Sequence, residues 1–186
     1  MNVRVAEPGF SADTLTIDAE AEIERIVAAL RSQLRAVKKR GLVLGLSGGI
    51  DSSVSLALAV RAVGAKNVCG LLMPENDSDP ESLSLGRLVA ETFGVDATVE
   101  DIGPALKALG CYERRDAFIR ELVPEYGEGW GSKGVIANAL QTDAYNISSL
   151  VVQDPAGNRQ KLRMPPSVYL GVVAATNMKQ RTRKQV

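Results

Sequence analysis

Three serines, two glycines and an aspartate fall within one short stretch, Ser47-Gly48-Gly49-Ile50-Asp51-Ser52-Ser53. It lies between an apolar run of strand length, Leu42 to Leu46, and a helical segment from about Asp51 to Val63 that stops at Gly64. A strand-to-helix turn exposes backbone N–H groups. The first helical turn adds unpaired donors and the positive end of the helix dipole. Gly48 and Gly49 remove side chains that would block a close anion, and Ser47, Ser52 and Ser53 supply hydroxyl donors. A pyrophosphate-sized anion fits this set. Asp51 stands where an ordinary phosphate loop carries a lysine, so a cation must lie between its carboxylate and a phosphate, or it must cap the loop by accepting backbone N–H bonds.

Other glycine-rich chemistries fail on spacing. No lysine follows either glycine, which removes the Walker A loop. Gly45, Gly48 and Gly49 do not have the spacing of a dinucleotide fingerprint. Gly45-Leu46-Ser47-Gly48-Gly49 matches a nucleophile elbow, but the chain has no histidine to complete a triad. The same absence removes imidazole-ligated zinc. Glu75, Asp77, Asp79 and Glu81 lack EF-hand spacing and read as a solvated acidic turn.

The elements that must position this turn are legible as alternating strands and helices. Ile23, Ile26, Val27, Leu30, Leu34 and Val37 recur with helical period. After the strand, turn and helix at 42–63, a second strand is expected at Val68 to Met73. A helix follows from about Glu81 to Phe93, then a third strand at Val95 to Val99. Short helices are expected at 103–109 and 112–123, a loop over Pro124 to Gly134, and a hairpin with strands at 148–153 and 159–164. From about Ser167 a helix carries Lys179, Arg181, Arg183 and Lys184. The fold class expected is α/β: an open, mostly parallel sheet with crossover helices on both faces, Rossmann-like. Ligands of such sheets gather beyond the carboxyl ends of the strands. Residues 1–15 read as an irregular arm, and 16–186 as one domain.

At 186 residues the chain can bury a real core, and 45% apolar with 24% charged residues reads as globular. Lysine plus arginine equals aspartate plus glutamate at 22 each, which argues against a general nucleic-acid surface. Two cysteines, Cys69 and Cys111, are too few for a disulfide scaffold, and Cys69 reads as a small buried hydrophobe. With neither a signal peptide nor a long apolar run, a cytoplasmic, non-membrane protein is expected.

The stretch Ser47 to Ser53 resembles the pyrophosphate motif of the N-type ATP pyrophosphatases. These adenine nucleotide alpha-hydrolase-like enzymes include NAD, GMP, asparagine and argininosuccinate synthetases and several tRNA-modifying enzymes. Two further stretches narrow the resemblance to the NAD synthetases: residues 70–95, with Met73-Pro74 and Asp79-Pro80-Glu81-Ser82, and the segment Asn177-Met178-Lys179-Gln180-Arg181-Thr182-Arg183. The resemblance implies that Ser47, Gly49, Asp51, Ser52 and Ser53 surround the β,γ-pyrophosphate of ATP and its Mg²⁺, and that Gly48 keeps the turn open. It places Leu46 beside the ribose and Met73 beside the adenine. Lys179 and Arg183 become the candidates for charge contacts near phosphate or substrate.

The implied reaction joins ammonia to the carboxylate of nicotinic acid adenine dinucleotide through an acyl-adenylate, releasing pyrophosphate. Ammonia is expected free or from a separate glutaminase, and the assembly is expected to be a homodimer, with Val172, Val173, Ala175 and Thr176 as a candidate stripe. The Gly-Thr-x-Asn-like strand end and acidic metal ligand of such enzymes are absent from these residues, so the domain is expected to be incomplete at its C-terminus. Two alternatives stay open. One is a tRNA-modifying or other amidating pyrophosphatase, against which stand the zero net charge and the lack of a Cys-x-x-Cys pair. The other is a truncated, non-catalytic nucleotide- or partner-binding domain.

Overall fold

The computed structural model describes residues 15–136 and 148–185, so the expected arm lies outside the described residues but for Leu15. The domain expected over 16–186 is built from two compact units. In chain order the first holds α1 (Ala19–Ala36), β1 (Leu42–Gly45), α2 (Ile50–Val63), β2 (Val68–Leu72), α3 (Pro80–Thr92) and β3 (Asp96–Val99). The three strands form a parallel sheet in the order β1-β2-β3, as the strand-helix-strand alternation predicts.

Strand register explains the burial. Leu42 pairs with Val68 and Leu44 with Gly70, so these residues share one face of the sheet with Leu46 and Leu72. Leu56 and Ala59 of α2 and Ala90 of α3 complete the core on that face. Each fully buried leucine or valine here contributes about 1.5–3 kcal/mol on burial. Both crossover helices lie on this one face, a correction to the expectation of both faces, because right-handed connections between strands advancing in one direction place their helices on the same side. The other face carries Val43, Gly45, Cys69 and Leu71; Val43 is exposed, and Cys69 is half-buried rather than fully buried.

Helix ends follow local chemistry. Asp18 caps α1 by accepting the Ala21 N–H at 3.1 Å, and Arg31 of α1 donates to the Ala62 carbonyl of α2 at 2.7 Å. Asp79 caps α3 by accepting the Glu81 N–H at 2.9 Å, with Pro80 at the first helical position.

The second unit contains residues 75–77 and those described from Asp101 onward. Its elements are α4 (Gly103–Ala108), α5 (Cys111–Arg120), β4 (Gly131–Ile136), β5 (Ser148–Gln153), β6 (Arg159–Arg163) and α6 (Pro166–Arg183). β5 and β6 form the expected hairpin, and the turn is closed by Asp154 accepting the Asn158 N–H at 2.9 Å. The expected loop over 124–134 needs correction: from Gly131 the chain is a strand, pairing antiparallel with β5. Two glycines and a lysine give this segment weak strand propensity, and the ladder overrides it. Ile119, Val123, Tyr126, Leu150, Val152, Met164 and Val168 form the core between the sheet and the helices. Val172 of the candidate stripe packs against this core. Gly171 lets the Phe118 ring approach α6, since a Cβ there would lie 2.5 Å from ring carbons.

Candidate functional site

β1 delivers the turn. The Leu46 N–H donates to the Leu71 carbonyl at 2.7 Å, extending the ladder one residue beyond the strand before the chain leaves the sheet. The Leu46 side chain is buried in the core, so only its backbone stands at the strand end. Gly48 follows with φ +75°, and a Cβ there would lie 2.5 Å from Leu85 Cβ. Glycine is thus required twice, by the left-handed backbone and by the closeness of α3. Gly49 is the N-cap of α2 and carries no side chain to occupy the free helix end.

The serines bind the turn together. The Ser52 hydroxyl donates to the Gly49 carbonyl at 2.9 Å and accepts the Ser47 N–H at 3.3 Å. Ser53 also donates to the Gly49 carbonyl at 2.9 Å. Ser47 Oγ accepts the Gly49 N–H at 3.3 Å and lies 3.2 Å from Ser52 Oγ. These bonds preform the turn. Each hydroxyl proton is held by a weak or shared acceptor that an incoming phosphate oxygen can replace.

Asp51 occupies the first turn of α2, exposed and hydrogen-bonded through its carboxylate to no described residue. It does not cap the loop. A free carboxylate beside a cradle for anions fits a cation that also binds phosphate oxygens. Among the described residues no three acidic, cysteine or histidine side chains cluster as a ready metal cage. The donor set therefore suits Mg²⁺, which commonly takes one or two carboxylates and completes its shell with water and phosphate.

Met73, just past β2, lies over the turn's entry strand: a Cβ on Gly45 would be 2.9 Å from the Met73 methyl. A flat backbone strip roofed by a thioether is a suitable edge for a planar apolar group. Gly86 escaped the sequence reading. A Cβ on it would lie 2.4 Å from Leu72 Cδ2 and 3.7 Å from the Gly48 nitrogen, so it sets how closely α3 backs the turn. A glycine inside an otherwise regular helix was the available signal.

Lys179 and Arg183 are brought together one helical turn apart on α6, with acidic partners. Lys179 Nζ lies 3.0 Å from Glu75 Oε1 and 2.5 Å from Asp77 Oδ2, and Arg183 Nη2 lies 3.3 Å from Glu75 Oε1. Arg115 pairs with Asp77 as well, and also with Asp116. The Tyr112 hydroxyl donates to Glu75 Oε2 at 2.8 Å, and Lys179 Nζ stands 5.4 Å from the centre of the Tyr112 ring. The solvated acidic turn expected here is corrected at Glu75, whose side chain is only 4% exposed, while Asp79 and Glu81 are exposed. Burial pushes its carboxyl up, but the Asp77 N–H, Tyr112 and Lys179 outweigh this and hold it below the ordinary glutamate value. Burial, and then the bond to Glu75, push the Tyr112 phenol well above its ordinary value. Arg181 and Asn177 lie on the exposed side of α6.

Comparison with known proteins adds identity to this geometry. A model described as NAD synthase matches residues 22–123. The NH(3)-dependent NAD(+) synthetase of Rhizobium meliloti (strain 1021) is 81% identical over 177 residues, 95% of this chain and 53% of the relative. That of Rhizobium rhizogenes (strain K84 / ATCC BAA-868) is 60% identical over 178 residues, 95% of this chain and 54% of the relative. Among solved structures, the NH3-dependent NAD synthetase of Campylobacter jejuni has a TM-score of 0.47 and 27% identity, covering 58% of this chain and 51% of that one. The chain spans about half the length of the curated relatives it matches.

Proposed function

Because the chain belongs to the NAD synthase family, we propose that its Ser47–Ser53 turn holds the β,γ-pyrophosphate of ATP in an amide-forming ligase. The carboxylate of nicotinic acid adenine dinucleotide attacks the α-phosphorus, and the bond to the β,γ unit breaks as pyrophosphate leaves. Ammonia then attacks the activated carbonyl, loses a proton, and expels AMP to give NAD. The observation that carries this reading is the preformed turn with a free carboxylate beside it.

Each residue has a role set by charge. In the first step the departing group gains negative charge, so donors aimed at it accelerate the step. Ser47, Ser52 and Ser53 and the N–H groups of the first turn of α2 supply them without repelling side chains at Gly48 and Gly49. Asp51 would hold Mg²⁺, which neutralises charge on the leaving phosphates when bound. Met73 borders the adenine and the Leu46 backbone the ribose. Ammonia arrives free or from a separate glutaminase, the assembly is a homodimer, and the setting is the cytoplasm.

The test joins this chain to the remaining length of the Rhizobium meliloti relative and supplies ATP, Mg²⁺, ammonia and the dinucleotide. AMP and pyrophosphate should form together, and only with the dinucleotide present. ADP as the nucleotide product would reject the reading.

A further inference from the structure

The antiparallel sheet of the second unit has two unlike faces. Leu150, Val152 and Leu162 turn inward to the core. The ladder puts Lys133, Val151 and Lys161 side by side on the opposite face, with Arg163 beside Ser149 and Arg159 beside Gln153. Lys133, Arg159, Lys161 and Arg163 are all exposed, and none of them forms an ion pair with a described residue. No position paired on this face is acidic. Arg159 donates to the neutral Gln153 amide at 2.9 Å and so keeps its charge. Asp154, the acid nearest in the chain, is taken by the turn, accepting from both the backbone and the side-chain amide of Asn158 at 2.9 and 2.8 Å.

Such a face is not what sheet stability alone selects. Opposite charges across a ladder stabilise it, yet each cation here faces a neutral residue, Val151, Ser149 or Gln153. β4 and β6 are the two edges of this sheet, and cations on an edge deter pairing with apolar or basic strands while they attract an acidic one.

We propose that this face and the free edge of β6 dock an extended acidic segment of a protein partner. Among the described residues β6 pairs with β5 alone, so its outer edge can accept an added strand. Arg159, Lys161 and Arg163 alternate along it, about 6.8 Å apart at strand rise, the spacing of every second side chain in an added strand. Acidic residues at alternate positions of the partner would meet these cations one for one. Two features set nucleic acid second: the face carries no aromatic ring for base stacking, and the whole chain has a formal net charge of +0.

The probe is a blocked peptide of alternating glutamate and threonine, titrated against the full chain by fluorescence anisotropy. Saturable binding is expected, weakening as salt rises from about 0.02 to about 0.5 M. Lys161→Gln and Arg163→Gln should each weaken it about two- to five-fold. Their exposed positions leave the core intact, which the Trp130 emission verifies. Three results would each overturn the proposal: no binding at low salt, equal binding of the peptide N-methylated at alternate residues, or stronger binding of single-stranded oligothymidylate.

Discussion

Asp51 and Glu75 are two carboxylates that the fold treats in opposite ways. Asp51 is exposed and unpaired among the described residues, whereas Glu75 is buried under cations. Asp51→Asn should leave stability unchanged and raise the Mg²⁺ needed for ATP binding about tenfold or more, measured by titrating Mg²⁺ at fixed ATP. An unchanged Mg²⁺ requirement would remove the metal role. Glu75 binds its proton less readily folded than unfolded, so its contribution is complete above the ordinary glutamate range, about 4.3. It is lost as pH falls from there through Glu75's own lowered value. Urea midpoints from pH 7 down to pH 3 should therefore fall less for Glu75→Gln than for the parent chain. At pH 7 the variant should be less stable by about 2 kcal/mol, since Lys179 keeps Asp77 but loses one charged bond and Arg183 loses its carboxylate. The types and spacing of Ser47 to Ser53 made that turn legible before any fold was known. Glu75 was not, because its partners lie in α5 and α6, and only tertiary structure brings Tyr112, Lys179 and Arg183 to it.

Between α3 and the Ser47–Ser53 turn the spacing is set by two glycines facing each other, Gly48 in the turn and Gly86 in the helix. Gly48→Ala should cost about 2–3 kcal/mol, since it combines a left-handed backbone with a contact to Leu85. Gly86→Ala gains about 1 kcal/mol of helix propensity. The contact with Leu72 exceeds this gain, so the variant should be less stable overall and should bind ATP more weakly. Chemical denaturation and nucleotide titration of the two variants check both statements. α2 could be read from sequence to within a residue, and the period of α1 marked it as a helix. β4 could not: its glycines and lysine carry no strand signal, and its strand state comes from β5 alongside.

Across the whole chain, two apolar clusters stabilise two units, each with its own sheet. Leu56→Ala should destabilise the first by about 3 kcal/mol and Leu150→Ala the second by a similar amount. The lone tryptophan, Trp130, packs against the second cluster, with its ring 5.8 Å from that of Tyr126. Its fluorescence transition should therefore shift with Leu150→Ala, and far-ultraviolet circular dichroism follows the first unit's helices as well. Unit boundaries escaped the sequence because residues 75–77, which read as part of a strand-to-helix loop, pack with the later chain. The pairing of Lys179 has a last consequence, for chemical modification. An amine acylated by a reagent must be reachable, and Lys179 is buried and paired with Glu75 and Asp77. Exposed lysines such as Lys133 and Lys161 should acylate within minutes, and Lys179 only when its unit opens. A mass spectrum of the labelled chain then records, lysine by lysine, how often that opening occurs.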